Sequence, residues 1–287
     1  MRLRRRIKQI YIRVINIFIR YSIFLLFPIK RIDMKNKKKI IISTEDKTAL
    51  LLLQYMANDL DIKHEDKLSL QYFNRIMRGD YDVTKSKSLE FIIDVFNMWY
   101  PITKLLDLKS GLDVVVFKKK DEKKLIICID GTDMSKGRIE VGDIKTNIKI
   151  YFNMLFNRPM SVGIKQLTQS YGIIKNILSK YKGYDIVVTG FSLGGFLAQN
   201  VCVKFGLKNG IFFNSFDYRY KQIEYSPICK SYIIINDVIG RFGKGMCPKY
   251  AFIQHRVDIN RLSFKYHSLY NFFEFFFERE NIIGIKY

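Results

Sequence analysis

The stretch Ile186-Val187-Val188-Thr189-Gly190-Phe191-Ser192-Leu193-Gly194-Gly195-Phe196-Leu197-Ala198 restricts the fold more than any other part of the 287-residue chain. Four β-forming residues run into G-x-S-x-G, and an apolar helical start follows at once. A serine held between glycines at a strand-to-helix turn sits in a strained conformation with its oxygen presented outward. Small residues at Gly190 and Gly194 let strand and helix approach closely, and the free N–H groups of the helix start favour developing negative charge. The pattern therefore makes Ser192 a candidate nucleophile.

Serine is a weak nucleophile unaided, so this reading requires a histidine base, a carboxylate to orient it and hydrogen-bond donors for an oxyanion. With a nucleophile in such a turn, the acid follows the serine in the chain and the histidine follows the acid. Asp237 ends the apolar run 232–236, and Asp217, after 212–216, competes with it. Asp237 is the stronger candidate because its strand, 231–236 against 210–213, is longer and its context downstream is better. His267, at the start of a terminal helical stretch, is preferred as base over His255, which follows the run 250–254. The strand-like run 125–130 leads into Gly131-Thr132, a turn able to aim a backbone N–H at a reacting oxygen; the N–H of Leu193 would be the second donor.

Around this centre the periodicity changes along the chain. Ser43-Thr44-Glu45-Asp46 resembles a capping box opening an apolar helix through Leu60. Further helices are expected at 68–77 and 89–99, the latter stopped by Pro101, so the front part, 40–110, reads as helical. After Gly111 the runs 112–118 and 125–130 read as a hairpin. Helices at 143–155, 163–180 and 193–205 then alternate with strands at 184–189, 210–213, 231–236 and 250–254. A terminal helix at 268–278 carries Phe272, Phe273, Phe275, Phe276 and Phe277, expected to pack on the sheet in preference to facing lipid. The class is α/β, with a mostly parallel sheet covered by helices on both faces.

Four segments in order carry a resemblance. The run into Gly131-Thr132 followed by Asp143-Ile144-Lys145-Thr146-Asn147, then Gly190-Phe191-Ser192-Leu193-Gly194-Gly195, Asn236-Asp237-Val238-Ile239, and Tyr266-His267-Ser268-Leu269 are similar to segments of the fungal-type, or class 3, lipases of the α/β-hydrolase superfamily. The resemblance covers about 112–276. It implies an α/β-hydrolase fold and ester hydrolysis through Ser192, Asp237 and His267. It also implies Thr132 and Leu193 as oxyanion donors, support from Gly131, Gly190, Gly194 and Asp143, and no metal or cofactor. Three positions depart from the family pattern: Asp130 stands for an arginine, Phe191 for a histidine and Ile144 for a tryptophan. None of them belongs to the expected triad.

Charge separates off the beginning of the chain. Lys+Arg 49 against Asp+Glu 27 leaves +22, and residues 1–39 hold 13 basic side chains against Asp33 alone. Arg2, Arg5, Arg6, Gln9, Arg13, Asn16 and Arg20 recur at steps of three or four, which a helix would gather into one polar stripe with nearly everything else apolar. Residues 1–39 are thus expected to be a basic amphipathic segment associating with an anionic membrane, lying on it or anchoring in it, ahead of a hydrolase domain at 40–287. Aliphatic residues interleave with those arginines, and no zinc, RRM or helix-turn-helix pattern is visible, which argues against nucleic acid. His64-Glu65 begins a zincin-like motif that fails at Leu68, and the four cysteines form no C-x-x-C pair, so no metal site is expected. Cys128 and Cys202 lie in apolar runs and read as small core residues.

Lipid, and a phospholipid before a triacylglycerol, is the substrate class implied jointly by the resemblance and the basic segment. The expected activity is a lipase or phospholipase at a membrane surface. The alternative is a non-catalytic membrane-binding or interaction protein that keeps the hydrolase fold, suggested by Phe191 and Asp130.

Overall fold

The computed structural model describes residues 38–58, 68–77, 82–107, 110–130, 164–215, 229–234, 237, 249–253, 267–278 and 282–286. The chain divides into two compact units, 1–34 and 35–287, and every described residue belongs to the second. Asp217, His255 and the segment around Thr132 and Asp143 lie outside the described residues, as does the basic stripe of the first unit.

Among the described residues nine strands form one sheet. In chain order they are β1 (Lys38–Ile40), β2 (Trp99–Asp107), β3 (Leu112–Lys119), β4 (Lys124–Ile129), β5 (Asp185–Phe191), β6 (Asn209–Phe213), β7 (Lys230–Ile234), β8 (Lys249–Ile253) and β9 (Ile282–Lys286). Their spatial order is β1-β9-β8-β7-β6-β5-β4-β3-β2. The pairings from β4 through β8 are parallel, whereas β2 with β3, β3 with β4, β8 with β9 and β9 with β1 are antiparallel. Only β3 and β9 therefore run against the common direction of the described strands.

Helices cover both faces. On one lie α1 (Thr44–Asn58), α2 (Leu70–Met77), α3 (Leu89–Met98) and the terminal segment α6 (Tyr270–Phe273), which widens into a π-helical turn over Glu274–Glu278. On the other lie α4 (Lys165–Lys180) and α5 (Ser192–Phe205). The period-two alternation of strands divides the core accordingly: Val115, Phe117, Ile126 and Cys128 join the first layer, and Val114, Val116, Leu125 and Ile127 the second. All five phenylalanines between Phe272 and Phe277 are buried, with Phe272 and Phe276 against Phe213 and Phe273 against Phe73. They are core, as their spacing led us to expect.

The expected capping box forms at the start of α1. The Ser43 N–H donates to Asp46 Oδ2 at 2.9 Å and the Asp46 N–H to Ser43 Oγ at 3.2 Å. Asp46 is fully buried and also receives Lys230 Nζ at 2.9 Å, so the helix start is tied to β7. Burial first, and then the neighbouring Asp46 carboxylate, push the Tyr232 phenol well above its ordinary range.

The front part departs from its helical expectation in two places. Trp99–Asp107 is strand β2, antiparallel to β3, and the helix before it ends at Met98. Trp99, Tyr100, Ile102 and Thr103 favour a pleated surface, and Pro101 is tolerated because β2 is an edge strand whose register shifts between Pro101 and Thr103. At the other edge Lys38 and Lys39, counted from the sequence with the basic segment, pair with Gly284 and Ile283 of β9 and so belong to the sheet. Cys128, Cys202 and Cys229 are buried; burial of Cys128, with the nearby Asp130, holds its thiol well above the usual range.

Candidate active site

The parallel strands deliver the site. β5 runs through the middle of the sheet between β4 and β6, and Ser192 begins α5 immediately after Phe191. Ser192 has φ 54°, a left-handed conformation costly for a residue with a side chain, and this bend turns its hydroxyl away from the strand direction. Such strain persists only where neighbours enforce it, and three glycines do so here. A Cβ on Gly190 would lie 2.7 Å from the nitrogen of Gly195 and closer still to the Gly194 carbonyl. One on Gly194 would collide with the Ile129 carbonyl oxygen and lie 2.5 Å from the Asp130 carbonyl carbon; one on Gly195 would lie 2.7 Å from Ser215 Cβ. The first turn of α5 is thus seated directly on the ends of β4, β5 and β6.

The acid comes from the next part of the sheet. Asn214, fully buried with φ 41°, ends β6; its N–H donates to the Tyr232 carbonyl at 2.9 Å and its Oδ1 accepts the Ile234 N–H at 2.9 Å. That clamp fixes the end of β7, and the Asp237 N–H in turn donates to the Ile234 carbonyl at 2.9 Å. Asparagine suits the position because its short amide tolerates the left-handed region and supplies an acceptor there. The sequence reading passed over Asn214; an asparagine closing an apolar strand one residue ahead of a serine was its only signal.

His267 joins the two. Its Nδ1 lies 2.8 Å from Asp237 Oδ2 and its Nε2 2.7 Å from Ser192 Oγ. Asp237 is fully buried, the His267 side chain is 11% exposed, and Ser192 as a whole is buried. With Asp237 accepting from Nδ1–H, Nε2 is left as the acceptor for the serine proton. Three side chains from residues 75 and 30 positions apart thus form one hydrogen-bonded chain. The ring of Phe191 lies on the imidazole, with centroids 4.8 Å apart and planes inclined by 32°.

A central parallel sheet, helices on both faces, a serine in a left-handed strand-to-helix turn, and an acid and a histidine arriving later in the chain are now assembled. The fold is that of an α/β-hydrolase.

Within this hydrolase fold Leu193 is buried at the start of α5, whose first turn has no side-chain cap from Phe191. Thr132, Gly131 and Asp143 lie outside the described residues. The chain leaving β4 at Asp130 starts against Gly194, next to the first turn of α5. Among the described residues no group of three or more His, Cys, Asp or Glu side chains is placed to hold a metal ion.

No protein-family model and no curated protein matches the sequence. Among solved structures the chain is similar to fungal lipases. The nonglycosylated LIP2 lipase of Yarrowia lipolytica shares 13% identity at a TM-score of 0.47, covering 88% of each chain. The lipase of Rhizopus microsporus var. chinensis shares 11% identity at 0.45, over 80% of each chain. The lipase of Rhizomucor miehei in complex with its propeptide shares 13% at 0.43, over 88% of this chain and 76% of that one.

Proposed function

We propose that the protein is a serine ester hydrolase acting on lipid esters, with Ser192 as nucleophile, His267 as base and Asp237 as the carboxylate that orients the imidazole. The observation that carries this reading is the continuous hydrogen-bonded chain from the buried Asp237 through His267 to Ser192. In the mechanism Ser192 Oγ attacks the ester carbonyl as Nε2 takes its proton. The imidazolium then protonates the leaving alkoxide, giving an acyl-enzyme, and a water activated by the same nitrogen releases the acid. The Leu193 N–H at the start of α5 and the Thr132 N–H hold the negative oxygen of each tetrahedral intermediate, with Gly131 and Asp143 supporting that loop.

The test is labelling with a fluorophosphonate, which needs no knowledge of the substrate. Wild-type protein is expected to carry one adduct, mapped to Ser192, and Ser192→Ala none. A folded wild-type protein that takes up no probe would overturn the reading and favour a non-catalytic membrane-binding role.

Membrane action is the finer part of the proposal. Residues 1–39 hold 13 basic side chains and one acid, interleaved with aliphatic residues, a composition suited to anionic headgroups over an apolar surface. Among the described residues no helix is long and apolar enough to cross a membrane. The reading is a peripheral or singly anchored enzyme cleaving phospholipid in preference to triacylglycerol. Deleting residues 1–34, which leaves β1 intact, is expected to lower binding to phosphatidylserine vesicles at least about a hundredfold, each basic residue near the surface contributing about 1 kcal/mol. Cosedimentation checks this, and undiminished binding would remove the membrane part while leaving the hydrolase reading in place.

A further inference from the structure

Two hydrogen bonds hold the imidazole of His267, one at each ring nitrogen, at 2.8 Å to Asp237 and 2.7 Å to Ser192. They hold the ring only at its edge, and the torsion about the bond that carries a histidine ring is broad, so the ring can swivel within them. Swivelling carries the Nε2 lone pair off the serine proton and, later, the N–H off the leaving oxygen. A surface against the flat face of the ring would stop it.

Phe191 supplies that surface. Its ring centroid is 4.8 Å from that of the imidazole, and the two planes are inclined by 32°, a tilted stack and not the near-perpendicular arrangement of an edge contact. Phe191 is also rigidly mounted. It is the last residue of β5, paired with Phe213 of β6, and its half-buried side chain packs on the core of the α1, α2 and α3 layer. The contact has an electrostatic side as well. The imidazole is neutral while Ser192 is unreacted and becomes positive once it has taken the serine proton, and the negative face of an aromatic ring attracts a cation. The contact therefore strengthens as the reaction proceeds, which binding to a neutral ring alone would not do.

We infer that Phe191 is the positioning residue of the catalytic base, its ring holding the imidazole of His267 in line between Asp237 and Ser192 and favouring the imidazolium formed on proton transfer. This rests on the hydrolase reading given above and adds to it a residue that acts through the base. Among the described residues the charged group that meets His267 is Asp237, which follows β7, and Ser192 of α5 and Phe191 of β5 also lie against it.

Phe191→Leu keeps an apolar cover over the imidazole but removes the aromatic face. It is expected to slow fluorophosphonate labelling of Ser192 about fivefold, the rate equivalent of about 1 kcal/mol of cation–π attraction. Because labelling requires neutral His267, loss of a group that favours the imidazolium should also move the acid limb of the rate–pH profile about half a unit or more to lower pH. Probe saturation should not change. Ring-fluorinated phenylalanine at position 191 keeps the shape while weakening the negative face, so it tests the same point even if the leucine variant folds poorly. Its limb is expected to shift in the same direction, further with each added fluorine. Wild-type rate and wild-type limb in the folded variants would overturn the inference alone, since wild-type labelling at Ser192 would still stand. An unlabelled wild type would overturn the hydrolase reading and this inference with it.

Discussion

Ester turnover by His267→Ala is expected to fall by about six orders of magnitude in kcat, with KM for a soluble nitrophenyl ester little changed. Ser192→Ala should cost about as much, and the double variant no more than either alone. The reason lies in the geometry: Oγ and Nε2 are 2.7 Å apart and share one proton, so each is useless without the other. Once either is gone, water attacks without help, and only the oxyanion donors and substrate binding contribute. Asp237→Asn should be milder, about four orders of magnitude, because the amide keeps the hydrogen bond at Nδ1 but favours the wrong tautomer of the imidazole. Stopped-time assays on the four proteins separate this from independent action, in which the losses in the double variant would multiply. A double variant far worse than both singles would show that the hydrogen-bonded chain is structural.

How much of this was legible beforehand depends on the range of the interactions. The serine turn could be read because its requirements are local: four β-formers, a serine and three glycines within thirteen consecutive residues. The β3–β4 hairpin, α4, α5 and the terminal phenylalanine helix were legible for the same reason, each having a period or turn of its own. The strands β1, β9 and β2 were not. β1 is a three-residue strand, Lys38–Ile40, and β9 the short run Ile282–Lys286 with a glycine inside, so neither has the alternation that marks a strand by itself. They are strands because of the ladders they join, β9 lying between β8 and β1, and β1 pairing with β9. β2 was hidden by its neighbour: α3 passes into it at Trp99 without a loop, and Pro101, which from the sequence stops a helix, in fact sits at the irregular register of an edge strand.

At the site the residue types could be assigned an order, but not their distances. Choosing Asp237 over Asp217 and His267 over His255 rested on strand length and context; Asp217 and His255 themselves lie outside the described residues. The contact of Phe191 with His267 and the clamp made by Asn214 had no sequence signal of comparable strength. Both depend on where separate strands end, which is a property of the sheet and not of any local pattern. Phe191 could be noticed only as an unusual neighbour of the serine, with nothing to say what it touched.

The second large effect concerns Gly194. Its alanine variant is expected to melt about 6–12 °C below wild type, the equivalent of about 3 kcal/mol in a domain of this size, and to lose most of its fluorophosphonate reactivity. The added methyl would meet the backbone of Ile129 and Asp130, and backbone cannot rotate aside as a side chain can. Either α5 lifts from the end of β4 or β4 itself moves. Both displace the Leu193 N–H and the Ser192 hydroxyl together, because they belong to the same first turn. Gly172 of α4 is the control, since nothing lies within 4 Å of a Cβ built there. Gly172→Ala should raise the melting temperature slightly, by relieving the flexibility of a glycine inside a helix worth about 0.5–1 kcal/mol. The contrast separates crowding from helix propensity, because both changes add the same methyl to a helical residue. If Gly194→Ala melted like wild type yet lost labelling, the close approach of α5 to β4 would serve the geometry of the site without contributing to stability. If it kept both, the two elements would have room to part, and the left-handed turn at Ser192 would not depend on their contact.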